Sequence, residues 1–174
     1  LPISPVCMSP PTSMHVHASF VILLFFYSFL FYLQKMPWSD RWRLWVPLVS
    51  AYALSALCPM TGDEGKKLPQ RPPGYVFGIV WPILYALIGY SWLRAKNDQK
   101  TDVMHGVLTL FLCLWIVSFS CAGNKTYGLY VLSCVIAITA CCMCLHQNRS
   151  GKIALVPLLA WTNFAFHLNY HTLD

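Results

Sequence analysis

The sequence predicts an all-α membrane protein, a bundle of five transmembrane helices with one extra hydrophobic segment ahead of it. Three observations point there. Hydrophobic residues make up 57% of the 174 and charged residues only 10%, whereas an average soluble domain carries about 25% charged residues. Mean hydropathy is +0.53. The 12 basic and 6 acidic side chains fall in short clusters, and between them lie uncharged runs at 44–62, 72–93, 103–124, 126–148 and 153–173, each of 19 to 23 residues. A helix crossing the hydrocarbon core needs roughly 20 apolar residues. Backbone in lipid must satisfy its own hydrogen bonds, so runs of this length form helices. Barrel strands would be about half as long and would alternate in polarity, and these runs do not. The same composition excludes a soluble domain, a disordered tail, a coiled coil and a nucleic-acid module.

The N-terminal stretch stands apart. Leu1 to Ser13 is rich in Pro and Ser, and the apolar core that follows ends in "FVILLFFYSFLFYL". Its apolar stretch is long and no basic residue precedes it, unlike a cleaved signal peptide. It reads as an extra helix, a signal anchor or untranslated sequence. The chain opens on Leu, and Met36 directly precedes "PWSDRWRLWVP". Translation from Met36 would give 139 residues and five spans, so the domain expectation is 1–35 as extension and 36–174 as the five-helix unit.

Run 44–62 is the first of the five. The polar connection 62–71 leads into Pro72-Pro73-Gly74, a rigid start for run 72–93. Runs 103–124 and 126–148 are joined so tightly that they form an antiparallel hairpin. Run 153–173 closes the bundle. One face of the bundle gathers Lys35, Arg41, Arg43, Arg94, Lys96, Lys100, Arg149 and Lys152; the other holds Lys66, Lys67, Arg71 and Lys125. The positive-inside rule puts the first face in the cytoplasm and the C-terminus outside. That rule concerns co-translational insertion and does not govern the mitochondrial outer membrane. The sequons at Asn124 and Asn148 face opposite sides and sit close to helix ends, so neither is expected to carry sugar.

Chemistry-bearing residues are few inside the runs. Cys134, Cys141, Cys142 and Cys144 share one run and contain a C-x-x-C spacing, which reads as small polarisable packing residues before it reads as metal or thiol chemistry. His167 and His171 lie four apart on the last run and share a face. Asn163 and His167 are expected to hydrogen-bond a neighbouring helix. All six acids fall outside the runs, which removes carboxylate dyads and carboxylate metal sites from inside the bundle. Neither Ser118 nor Ser133 has an Asp partner in the membrane for a catalytic triad. No metal and no required cofactor is expected. Aromatics do recur at helical spacing: Gly78, Trp81, Tyr85, Gly89 and Trp92 on one helix, Leu108, Leu112, Trp115 and Phe119 on the next. Mid-membrane tryptophans from several helices would wall a cavity for a flat hydrophobic ligand.

Two segments resemble a known family. "RPPGYVFGIVWPILYALIGYSW" (71–92) is similar to the second-helix signature of the TspO family, which includes the mitochondrial translocator protein and bacterial tryptophan-rich sensory proteins. "VPLLAWTNFAFHLNY" (156–170) is similar to its fifth-helix signature, and "WVP" at 45–47 resembles the start of its first helix. The likeness covers about 44–173 and implies a five-helix bundle of TspO type. It further implies a pocket for porphyrins, sterols such as cholesterol, or benzodiazepine-type drugs, with Trp81, Trp161, Ala165 and Leu168 on its wall and Asn169 nearby. Tyr85 and Trp115 join these from the aromatic stripes. The resemblance implies a binding protein acting in ligand transport or stress sensing, with a porphyrin or haem as ligand, membrane lipid or sterol as partner, and a homodimer as assembly. Two alternatives stand beside it: a light- and oxygen-dependent porphyrin-degrading enzyme using Trp81 and Trp161, and a structural assembly protein using the Gly74-x-x-x-Gly78 spacing. Localisation follows as a multi-pass protein of the mitochondrial outer membrane or endoplasmic reticulum in a eukaryote, or of a bacterial cell envelope. Two departures from the pattern bear on ligand choice. Phe111-Leu112 stand where the family has Leu-Asn, and no Lys or Arg follows Tyr170 to complete the sterol motif.

Overall fold

The computed structural model describes residues 40–58, 71–95 and 98–171. The 1–35 extension, the Met36 start and most of the 62–71 connection lie outside them. The described residues are helical, in six segments: α1 (Trp42–Leu57), α2 (Gly74–Arg94), α3 (Gln99–Ile116), α4 (Lys125–Leu145), α5 (Arg149–Ala154) and α6 (Val156–Tyr170). A π-helical turn, Val117–Cys121, extends α3. Five spans result, because α5 and α6 are one broken helix. Three stretches, Gly74–Arg94, Gln99–Cys121 and Lys125–Leu145, are long and apolar enough to cross a membrane by length and composition. Twenty-one residues rise about 32 Å at 1.5 Å each, which matches a hydrocarbon core about 30 Å thick.

Local sequence sets the ends. α1 stops at Leu57, short of the run to 62, because Pro59 follows. The residue before a proline is pushed out of the helical region, and Cys58 has φ −127° and ψ 73°. Pro73 starts α2, its carbonyl accepting from the Val76 amide at 2.9 Å. α3 starts at Gln99, four residues before the uncharged run, so Asp102 sits in its first turn, where a negative charge suits the helix dipole. Asp98 caps it, accepting from the Lys100 amide at 3.2 Å. Asn124 caps α4 through the Tyr127 amide at 2.9 Å. Asn148 caps α5 through the Ser150 and Gly151 amides at 3.0 and 3.2 Å. Both sequon asparagines therefore work as helix caps. The fifth span breaks at Leu155, where Pro157 at the start of α6 supplies no amide hydrogen.

The buried faces follow helical spacing: Leu44, Pro47 and Ala51 on α1, Leu84, Ile88 and Trp92 on α2, Leu108, Leu112 and Trp115 on α3, Val131, Val135 and Cys142 on α4. The outward faces are apolar too, with Val49, Ile79, Leu110 and Tyr130 more than half exposed, as a lipid-facing surface requires. Thr109, Thr139 and Thr162, all buried, each satisfy their hydroxyl on the carbonyl four residues back, at 2.7 to 2.9 Å. Gly89 sets the α1–α2 distance: a Cβ there would lie 2.9 Å from the Leu44 Cα.

Candidate functional site: an aromatic cavity between α1, α2 and α3

Two polar and aromatic regions occupy opposite ends of the bundle. At the end holding the start of α1, the Arg43 guanidinium reaches Asp102 at 2.7 Å through Nε and 3.3 Å through Nη2. The Trp92 indole donates to the same carboxylate at 2.8 Å. Trp42 meets Trp92 edge-on at 5.2 Å. This knot ties α1, α2 and α3 together. The charged cluster 94–102 was expected to lie wholly outside the helices; Asp102 lies inside one, its side chain 25% exposed.

Beside it, His105 Nδ1 lies 2.7 Å from the Thr101 carbonyl and Nε2 lies 2.9 Å from Ser91 Oγ. A carbonyl only accepts, so the neutral ring carries its proton on Nδ1 and accepts the Ser91 hydroxyl on Nε2. His146 Nε2 donates to the Ser91 carbonyl at 3.1 Å, and its Nδ1 accepts from the Asn148 amide at 3.2 Å. A serine–histidine pair is the geometry of an activated nucleophile. Here both residues are completely buried, and neither lines the cavity or the groove described below. The pair holds helices together.

The cavity lies toward the other end. It measures about 320 Å³. Ala51, Tyr52, Ser55 and Cys58 of α1 form one wall. Gly74, Phe77, Gly78, Trp81, Pro82 and Tyr85 of α2 form another, and Trp115 and Ile116 of α3 close it. Among the described residues, Gly74 and Gly78 have no heavy atom within 4 Å of where a Cβ would stand, so they open space rather than pack against a described helix. The rings form a continuous series: Tyr85 stacks on Trp81 at 5.6 Å, Trp81 meets Trp115 at 5.1 Å, and Trp115 stacks on Phe119 at 5.7 Å. The indole N–H of Trp115, 5% exposed, finds no acceptor among the described residues.

Three of the residues singled out from sequence, Trp81, Tyr85 and Trp115, thus come together. Trp161 lies elsewhere, in a groove between α2 and α6 with Val80, Ile83, Leu84, Pro157, Ala160 and Phe164. Phe77 meets Trp161 edge-on at 5.5 Å and stands between the two spaces. Ala165, Leu168 and Asn169 are buried on α6 and are not part of the described lining of either space. His167 is exposed and meets His171 at 4.5 Å between ring centres. Asn163 bonds the Leu159 carbonyl of its own helix at 2.7 Å, not a neighbouring helix as expected. Cys134, Cys141 and Cys144 are exposed and Cys142 is buried. No group of three or more potential metal ligands lies together among the described residues.

One feature was missed from sequence. Cys58, on the cavity wall, is joined in a disulfide to Cys121 at the end of the π turn, with Cα atoms 4.9 Å apart. The available signal was position: both cysteines end helical runs on the same face of the bundle.

The model of the TspO/MBR family matches residues 44–173. This chain belongs to the TspO/MBR family. Its five spans are the family's membrane bundle, and it is an integral membrane protein. It is 28% identical over 105 residues to the tryptophan-rich protein TspO of Archaeoglobus fulgidus, covering 57% of this chain and 69% of that one. It is 28% identical over 148 residues to the translocator protein of Bos taurus, covering 72% and 88%. A rhomboid protease GlpG homolog of Cronobacter sakazakii is 31% identical over 111 residues but is covered over only 39% of its length.

Proposed function

We propose that this protein binds a flat hydrophobic ligand, a tetrapyrrole or a sterol, in the cavity between α1, α2 and α3, and acts in its transport or in stress sensing. The carrying observation is Trp115: a buried indole donor without an acceptor among the described residues, on the wall of a mainly apolar cavity. Buried polar groups are nearly always paired, so an unpaired donor beside a cavity is suited to a ligand oxygen. Trp81 and Tyr85 offer the stacking surface. The volume falls at the lower end of the roughly 300–1,000 Å³ of small-molecule sites, which suits one flat ring system. A carboxylate-bearing porphyrin fits the donor better than a sterol, since hydrogen bonds with a charged partner are the stronger ones.

Binding is favoured over catalysis because the described lining holds no carboxylate, imidazole or amine to move a proton. The relatives' names, tryptophan-rich protein and translocator protein, agree with a non-enzymatic role. The disulfide favours a membrane with one face on an oxidising compartment, such as the endoplasmic reticulum or a cell envelope, and a homodimer is the assembly we propose.

The test is a protoporphyrin titration of the full chain in detergent, followed by tryptophan fluorescence. Saturable quenching is expected, lost in Trp81→Ala and weakened at least about tenfold in Trp115→Phe, as for one hydrogen bond to a charged group of about 1.5–3 kcal/mol. Cholesterol added as competitor separates the two ligand classes. Absence of saturable quenching, or quenching unmoved by both substitutions, overturns the reading.

A further inference from the structure

We propose that the Cys58–Cys121 disulfide is a redox latch on this cavity: oxidised, it holds the α1 wall in place; reduced, it frees that wall and weakens ligand binding. The proposal rests on the binding role above.

Helix α1 is held unequally at its two ends. Its first turn is fixed by the Arg43–Asp102 pair, by Trp42 against Trp92, and by the close approach of Leu44 to Gly89. Pro47 follows and supplies no amide hydrogen to the Arg43 carbonyl, which gives the helix a pivot just beyond the fixed turn. Past Ala51 the helix shows mostly exposed side chains, and Leu57 is 78% exposed. There Leu54 packs against the core, and the bond from Cys58 to Cys121 is the covalent tie. This is the half of α1 that supplies Tyr52, Ser55 and Cys58 to the cavity. Cys121 ends the same π turn that continues from Trp115 and Ile116 on the opposite wall. The bond therefore joins two walls of one cavity across a pivoted helix.

Sidedness adds an independent argument. The charge count places the Cys58 and Cys121 end outside the cytoplasm, the setting in which disulfides persist. Oxidised is thus the resting state, and a small dithiol is the class of reductant that opens it. One thiolate of the dithiol attacks a latch sulfur and breaks the S–S bond, forming a mixed disulfide. Its second thiolate displaces the remaining latch sulfur and closes the reductant's own disulfide. Cys58 and Cys121 leave as two thiols, having taken up two electrons and two protons. A preformed wall binds more tightly than one that must be ordered on binding, which fixes the direction of the effect.

The experiment uses the full chain in detergent, oxidised or treated with dithiothreitol, with protoporphyrin as probe. Reduction is expected to raise Kd at least about fivefold, the low end of typical coupling between two sites. Cys121→Ser is the clean variant, since Cys121 is not in the cavity lining; it should bind like reduced protein and ignore dithiothreitol. Among the described residues, the five free cysteines, Cys113, Cys134, Cys141, Cys142 and Cys144, are already thiols and give dithiothreitol no second target. Hydrogen exchange of 51–57 gives a ligand-free readout and should rise on reduction of the wild type, which needs no variant to fold. Exchange unchanged by reduction overturns the latch, as does an equal Kd in the two redox forms. Quenching absent in both forms while exchange responds overturns the binding role instead.

Discussion

Gly89→Ala isolates the contact that sets α1 against α2. The added Cβ would stand 2.9 Å from the Leu44 Cα and 3.0 Å from its carbonyl carbon, and nearer still to the oxygen. These are backbone atoms with no rotamer to escape into. Reaching the optimum of about 3.5 Å means moving the helices apart by at least about 0.6 Å. Overpacking of this kind costs about 1–3 kcal/mol, and widening here also stretches the neighbouring Arg43–Asp102 pair. Alanine gains about 1 kcal/mol over glycine in helix propensity, so the net effect needs a reference with the same gain. Gly78→Ala supplies it, on the same helix with nothing within 4 Å among the described residues. The difference between the variants is then the collision alone, about 2 kcal/mol at mid-range. At this chain length that corresponds to roughly 4–8 °C in unfolding midpoint. Thermal melts of both variants in one detergent, followed by helical circular dichroism, give the number. If Gly89→Ala melts at or above Gly78→Ala, the close approach of α1 and α2 is not what holds the first helix.

Two more outcomes follow from the knot and the caps. Asp102→Asn keeps an acceptor for Trp92 but removes the charge facing Arg43; a loss of about 1–3 kcal/mol is expected, with Asp102→Ala lower still, and melts with Trp fluorescence will rank the two. Asn148→Ala removes the cap of a six-residue helix at a cost of about 1 kcal/mol, seen as faster hydrogen exchange across 149–154 and not across 156–170.

The spans were readable because a membrane imposes a one-dimensional rule: charge must leave the hydrocarbon, so gaps between charges measure helices. That rule works best for the three middle spans. It misjudges the first and last because proline, not charge, ends α1 at Cys58 and breaks the fifth span at Leu155. It also misplaces Asp102, whose charge suits the first turn of α3 and is met there by Arg43 and Trp92. The same division holds at the cavity. Trp81 and Tyr85 share a face by spacing along one helix, so the sequence reveals them, and Trp115 lies on the buried stripe of the next. Which helices then face each other is not a local property. Trp161 belongs to an equally aromatic helix, yet Phe77 stands between it and Trp81. Cys58 and Cys121 are 63 residues apart, and only the hairpin of α2 and α3 returns one to the other. Helical periodicity supplies a wall of the cavity, whereas the residues that join one wall to another come from chain reversals, and those are the residues on which the proposed latch depends.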